Sequence, residues 1–104
     1  MAVTFKGSSR RQLGKNLVEV WGTVTLDASN PTGIDLSGYG RTVLMGVVCL
    51  QATAAPGDLT SVVTCNPSTS TLNVYAWAPI SGSDPTLVAS TGTEEVAFMA
   101  LVQR

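Results

Sequence analysis

Almost wherever this chain shows a hydrophobic period, the period is two, which confines its 104 residues to β-structure. In Val18–Leu26, one face carries Val18, Val20, Val24 and Leu26, while the other shows Glu19, Trp21, Thr23 and Thr25. Thr71–Ala78 alternates in the same way, with Leu72, Val74 and Ala76 against Asn73, Tyr75 and Trp77. Both read as strands with one face on a core. Thr42–Leu50 and Val96–Val102 are apolar on both faces, as expected of a central strand or of one whose outer face meets another subunit. Shorter strand candidates are Ile34–Leu36, Leu59–Cys65 and Thr86–Ala89.

Turn formers separate these pieces: Asp27–Gly33, Ser37–Gly40, Ala54–Asp58, Asn66–Ser68, Pro79–Pro85 and Ser90–Thr93. Five or six short strands so spaced predict a small antiparallel β-sandwich or jelly-roll-like module with an extended N-terminal arm. A parallel sheet would need crossover helices, and none is legible. Residues 8–17 could make one helical turn, but Gly14 and the short length argue against a stable helix.

The charges divide the chain differently. Lys6, Arg10, Arg11 and Lys15 fall in residues 1–16 with no acid, whereas residues 17–104 set Arg41 and Arg104 against seven acids. The expected organisation is therefore a basic arm, 1–16, on a single acidic β domain, 17–104. The arm has too little apolar area for a core of its own and suits a grip on another molecule. Charged residues make up 12% of the chain and hydrophobic ones 44%, too few charges to solvate a free monomer and a sign that copies or a partner cover part of the surface. A neutral Ser/Thr-rich surface is the plainer alternative.

Catalytic parts are missing from this inventory. With no His there is no ordinary general base at neutral pH and no Ser-His-Asp or Cys-His arrangement. Glu94 and Glu95 are adjacent, so in a strand they point to opposite faces. Gly38, Gly40 and Gly82 open no helix that could cradle phosphate, and no cofactor loop is present. Cys49 and Cys65 sit in apolar segments and read as small buried hydrophobes with reduced thiols, a cross-strand disulfide being the alternative. Two cysteines without His or a Cys-x-x-Cys spacing do not make a metal site. The expectation is a non-enzyme without metal or cofactor. The N-terminus lacks a secretory apolar region and no run approaches the ~20 apolar residues of a membrane span, so synthesis in the cytoplasm and no membrane partner are expected.

Partner-binding candidates are then the arm residues Lys6, Arg10, Arg11 and Lys15, and the aromatics Trp21, Tyr75 and Trp77, which combine apolar area with a polar handle. Their plainer reading is a second core layer. A carbohydrate platform would also use exposed aromatics, but only Asn73 among amides lies near them in sequence. A nucleic acid would gain only a few phosphate contacts from four charges, and no strand interleaves bases with aromatics.

The stretches Gly22–Gly33 and Asn73–Pro79, with the following Ser-Asp-Pro-Thr-Leu-Val-Ala-Ser, give the chain a style that resembles small virion structural proteins of tailed bacteriophages, in particular the capsid decoration or cement proteins. What the resemblance implies is an oligomer, often a trimer, that sits on the major capsid protein at the surface of the virion and reinforces the shell. Such families bring no catalytic or binding motif to map onto numbered positions. Two other readings stand beside it: a phage tail or fibre module that binds a host-surface glycan, and a nucleic-acid-associated protein using the basic arm.

Overall fold

The computed structural model describes residues 4–27, 29–51, 61–90, 92 and 94–104, with side chains from Arg10 onward. Its strands are β1 (Thr4–Gln12), β2 (Leu17–Thr25), β3 (Thr32–Asp35), β4 (Thr42–Leu50), β5 (Val62–Ser68), β6 (Thr71–Ser81), β7 (Asp84–Ala89) and β8 (Glu95–Gln103). They form two antiparallel sheets packed as a sandwich. Sheet A has the order β1-β2-β8-β4; sheet B has β3-β6-β5, with β7 also pairing with β6. The core lies between them and takes the face read from the alternation: Val18, Val20, Val24 and Leu26 of β2 and its exit, Leu72, Val74 and Ala76 of β6, and Val96, Phe98, Ala100 and Val102 of β8 are all buried.

Several local readings change. Thr42–Leu50 is an edge strand of sheet A, and the central position belongs to β8, between β2 and β4. In β4 the register shifts between Val43 and Met45, leaving Leu44 as the extra, exposed residue, a device that distorts an exposed edge. Asn66–Ser68, expected as a turn, continues β5; the turn is the two-residue Thr69–Ser70 link, where Thr69 takes φ 52°. Pro79–Pro85, expected as a loop, continues as β6, a tight turn at 82–83 and β7.

Proline is tolerated in these strands because antiparallel backbone groups point alternately to either side. Ala76 turns its N–H and C=O away from β5, toward Asn30 and Ser90, so residue 79 has its nitrogen on the β5 side, past the Val62–Trp77 pair. The absent N–H of Pro79 therefore costs no described ladder bond. By the same alternation Pro67 turns its nitrogen outward from β5. The expected break at Ala54–Asp58 lies outside the described residues.

The basic segment is extended and paired: β1 runs antiparallel to β2 from Thr4–Thr25 to Gln12–Val18, with an irregularity between Lys6 and Ser9. The division at residue 16 is thus one of charge, with backbone pairing running across it.

Asn30 closes a gap in sheet B. The pairing of β3 with β6 reaches Val74, and that of β7 with β6 starts at Trp77, so Ala76 lies between the two strands. The Asn30 side chain fills the place of a neighbour: its Oδ1 accepts from Ala76 N at 2.8 Å, and its Nδ2 donates to Ser90 O at 3.0 Å.

Candidate functional site

The two sheets turn different chemistries outward. On sheet A the outward residues of β2, β8 and β4 lie in rows set by register: Trp21–Met99–Val47, Glu19–Leu101–Met45 and Thr23–Ala97–Cys49 in the middle, with Leu17–Gln103–Thr42 and Thr25–Glu95 at the two ends. Trp21 is 37% exposed, Met45 53%, Val47 55% and Met99 45%, which makes this an open apolar face. A shallow trough of about 110 Å³ runs between Met45, Val47, Met99 and Leu101. Cys49, expected to be buried, stands exposed because its side chain lies on the outer face of sheet A, which no described strand covers; Cys65 is half-buried against the core, and both thiols are free. At the rim Arg11 pairs with Glu19 at 3.4 Å.

The basic residues do not form one patch on the arm. Arg10 and Arg11 are neighbours in β1 and face opposite sides of the sheet, and Arg11 is engaged by Glu19. Arg10 lies opposite buried Val20 yet is exposed, at the edge of sheet A, where an inward-facing charge opposes pairing with a further strand. Lys15 is exposed in the turn between β1 and β2. The Lys6 backbone pairs with Thr23, and its side chain lies outside the described part.

Pairing also recruits the two cations that sequence assigned to the acidic body. Arg41 N donates to Gln103 O at 2.8 Å, Arg104 N to Asn16 O at 2.9 Å, and Arg104 Nη1 to Gln12 Oε1 at 3.2 Å. Arg10, Arg11, Lys15, Arg41 and Arg104 consequently share one end of sheet A.

Asp27, Glu94 and Glu95 stand at the other end. Burial pulls the Glu94 carboxyl upward, but hydrogen bonds from Ser61 (2.6 Å) and Ser90 (2.5 Å) to Oε2 outweigh it and leave its pKa below the ordinary value. Asp27 is likewise lowered: burial raises it, and the Thr32 hydroxyl at 2.8 Å with the Ser29 amide at 3.1 Å more than offset that. These carboxylates tie loops to strands.

On sheet B the outward residues read Asp35–Thr71–Ser68, Gly33–Asn73–Asn66, Tyr75–Thr64 and Ala89–Trp77–Val62 across β3 or β7, β6 and β5. Tyr75 and Trp77 are half-buried, their ring planes 23° apart with centroids at 6.3 Å. Trp77 leans across the sheet, its Nε1 donating to Thr64 Oγ1 at 3.1 Å. Trp21 is on the opposite side of the sandwich, so the three aromatics singled out from sequence belong to two surfaces. Sequence reading missed Asn66 beside Asn73, because only strand pairing brings residues seven apart into one row.

Beyond the Val62–Trp77 pair, β6 and β7 are, among the described residues, paired only with each other and carry exposed Ile80, Leu87 and Val88. Among the described residues no three His, Cys, Asp or Glu side chains gather as metal ligands. Compared with known proteins, the chain matches no family model, no curated protein and no solved structure.

Proposed function

We propose that this protein is a structural module of a virion, an oligomeric decoration or cement protein on the capsid of a tailed bacteriophage, and not an enzyme. The observation that carries the structural role is the outer face of sheet A, where Trp21, Met45, Val47 and Met99 stand open to solvent around an apolar trough. The viral setting comes from the resemblance in sequence style. Full burial of such side chains is worth about 1.5–3 kcal/mol each, so covering the exposed half of these four yields on the order of 1 kcal/mol apiece. With a similar gain from the partner's side of one subunit contact, that is comparable with the roughly 4–15 kcal/mol of freedom lost on association. This face alone supports weak association, which suits a protein held in a repeated array, where many contacts act together. The basic end and the exposed β6–β7 ribbon offer further contacts to a coat protein.

Sedimentation velocity over a series from about micromolar to millimolar concentration tests the reading, since a weak contact populates the oligomer only as concentration rises. The expected result is an oligomer, a trimer in this reading, that Val47→Lys with Met99→Lys converts to monomer without loss of the β-sheet circular dichroism signal. A wild-type chain that stays monomeric and fails to bind phage capsids stripped of their decoration proteins would overturn it.

A further inference from the structure

We propose that the outer face of sheet B is a binding platform for a neutral saccharide chain. Three features of that face select the ligand. First, Tyr75 and Trp77 lie along one strand with nearly parallel rings, and the Trp77 indole is tied down over the sheet by Thr64, so an aromatic surface is held in place. The C–H faces of pyranose rings stack on such surfaces, and a fixed ring loses little entropy on binding. Second, Asn66 and Asn73 are cross-strand partners immediately beside the aromatic pair. Each side-chain amide offers both donors and an acceptor, the complement of a sugar hydroxyl, and Ser68, Thr71 and Thr64 add hydroxyls on the same face. Gly33, opposite Asn73, brings no side chain to crowd the amides.

Third, the face is nearly uncharged. Asp35 stands at its margin, and among the described residues no basic side chain lies on it. A phosphate polymer or sulfated glycan has no counter-charge there, whereas a neutral polyhydroxylated chain needs none. From the Asn66–Asn73 row to the Trp77 row is four residues of β6, roughly 13 Å at about 3.3 Å per residue, room for a short run of sugar rings. The outer face of sheet A carries amides only at its two ends, Gln103 and Gln51, and none in the rows of Trp21, Met45, Val47 and Met99, so the two sides of the sandwich differ in what stands beside their aromatics. This platform does not rest on the virion reading.

The chain carries its own control, because it has two Trp residues, one on each outer face. The experiment is a two-dimensional ¹⁵N NMR titration of the full chain with cellohexaose, maltohexaose, mannohexaose and chitohexaose, and separately with heparin. Expected are saturable shifts of the Trp77 indole N–H and the Asn66 and Asn73 carboxamides with at least one neutral hexaose, at about millimolar affinity as a shallow platform gives, while the Trp21 indole stays still. Trp77→Ala should weaken binding at least tenfold. If that variant does not fold, Asn66→Ala and Asn73→Ala, both on the outer face, carry the same test. The proposal is overturned if no neutral hexaose moves these signals, if the shifts gather around Trp21 and Met99, if the Asn variants bind as wild type does, or if heparin alone binds, with shifts at Lys15 and Arg104. Sedimentation of the wild-type chain without saccharide decides the association of sheet A and these titrations decide the platform on sheet B, so the two readings fail independently.

Discussion

Gly46 sets how closely the sheets approach, and replacing it with alanine measures that closeness. It lies on the inward side of β4 with a φ outside the left-handed region, so what the position requires is space. A Cβ placed there would meet Leu72 Cδ1 at 2.5 Å, Cδ2 at 2.9 Å and Cγ at 3.3 Å. Carbon atoms prefer about 3.5–4.0 Å, so Leu72 or the β4 backbone has to retreat by on the order of 1 Å. Leu72 is fully buried and has nowhere open to go. Overpacking of this kind costs about 1–3 kcal/mol, and the lower unfolded-state entropy of alanine returns about 0.4–1 kcal/mol, so Gly46→Ala should destabilise by about 1–2 kcal/mol. At roughly 4–8 °C per kcal/mol for a domain near this size, Tm should fall by about 5–15 °C.

The cause is isolated by a double-mutant cycle with Leu72→Ala, read by urea unfolding. Leu72→Ala alone should cost about 2–5 kcal/mol for the lost methyl groups and the cavity. In its presence the added methyl group at residue 46 has room, so the double variant should be at least about 1 kcal/mol more stable than the sum of the singles requires. Gly46→Ala as stable as wild type, or a cycle additive to within about 0.5 kcal/mol, would refute the close approach of β4 to β6.

Three further outcomes are expected. Asn30→Ala removes the side chain bridging Ala76 and Ser90 and leaves the Ala76 N–H without its partner, so it should cost about 1–3 kcal/mol in chemical denaturation, far more than a typical exposed Asn. Glu94 and Asp27 have folded-state pKa values below the ordinary 4.5 and 3.8, so their stabilisation is complete above those values and is lost as pH falls through the folded ones; Tm should hold from pH 7 to about 5 and drop below about 4.5, less steeply in Glu94→Gln. Of the two thiols, exposed Cys49 should react with a disulfide reagent in the native state, while Cys65, whose pKa is raised by burial, should react slowly until the protein unfolds.

The sandwich was legible from sequence because each sheet has one dry face. Alternation at two residues assigns Val18, Val20 and Val24, or Leu72, Val74 and Ala76, to the core without any knowledge of their partners, since a strand slipped by one residue would expose all of them. Strand ends were less legible. Proline and asparagine at Asn66–Ser68 and Pro79–Pro85 signal turns locally, yet there the ladder continues, because the missing N–H falls on a side with no described partner. No local rule sees which side that is. The same holds for the doubly apolar run 42–50: composition says that both faces are apolar, but central or edge position is a property of pairing order.

Surfaces were the least legible of all. Sequence alone determined the all-β class, the inward-facing residues and the absence of His; it named Trp21, Tyr75 and Trp77 but could not divide them, and it assigned Arg41 and Arg104 to an acidic body. Tertiary structure decided that Trp21 and Trp77 face opposite ways, that Asn66 stands beside Asn73, and that Arg41 and Arg104 join Lys15 at one end. Burial is dictated by the free energy of each residue and its near neighbours along a strand. A surface is made by which strands the fold sets side by side, and that choice belongs to the pairing of distant segments.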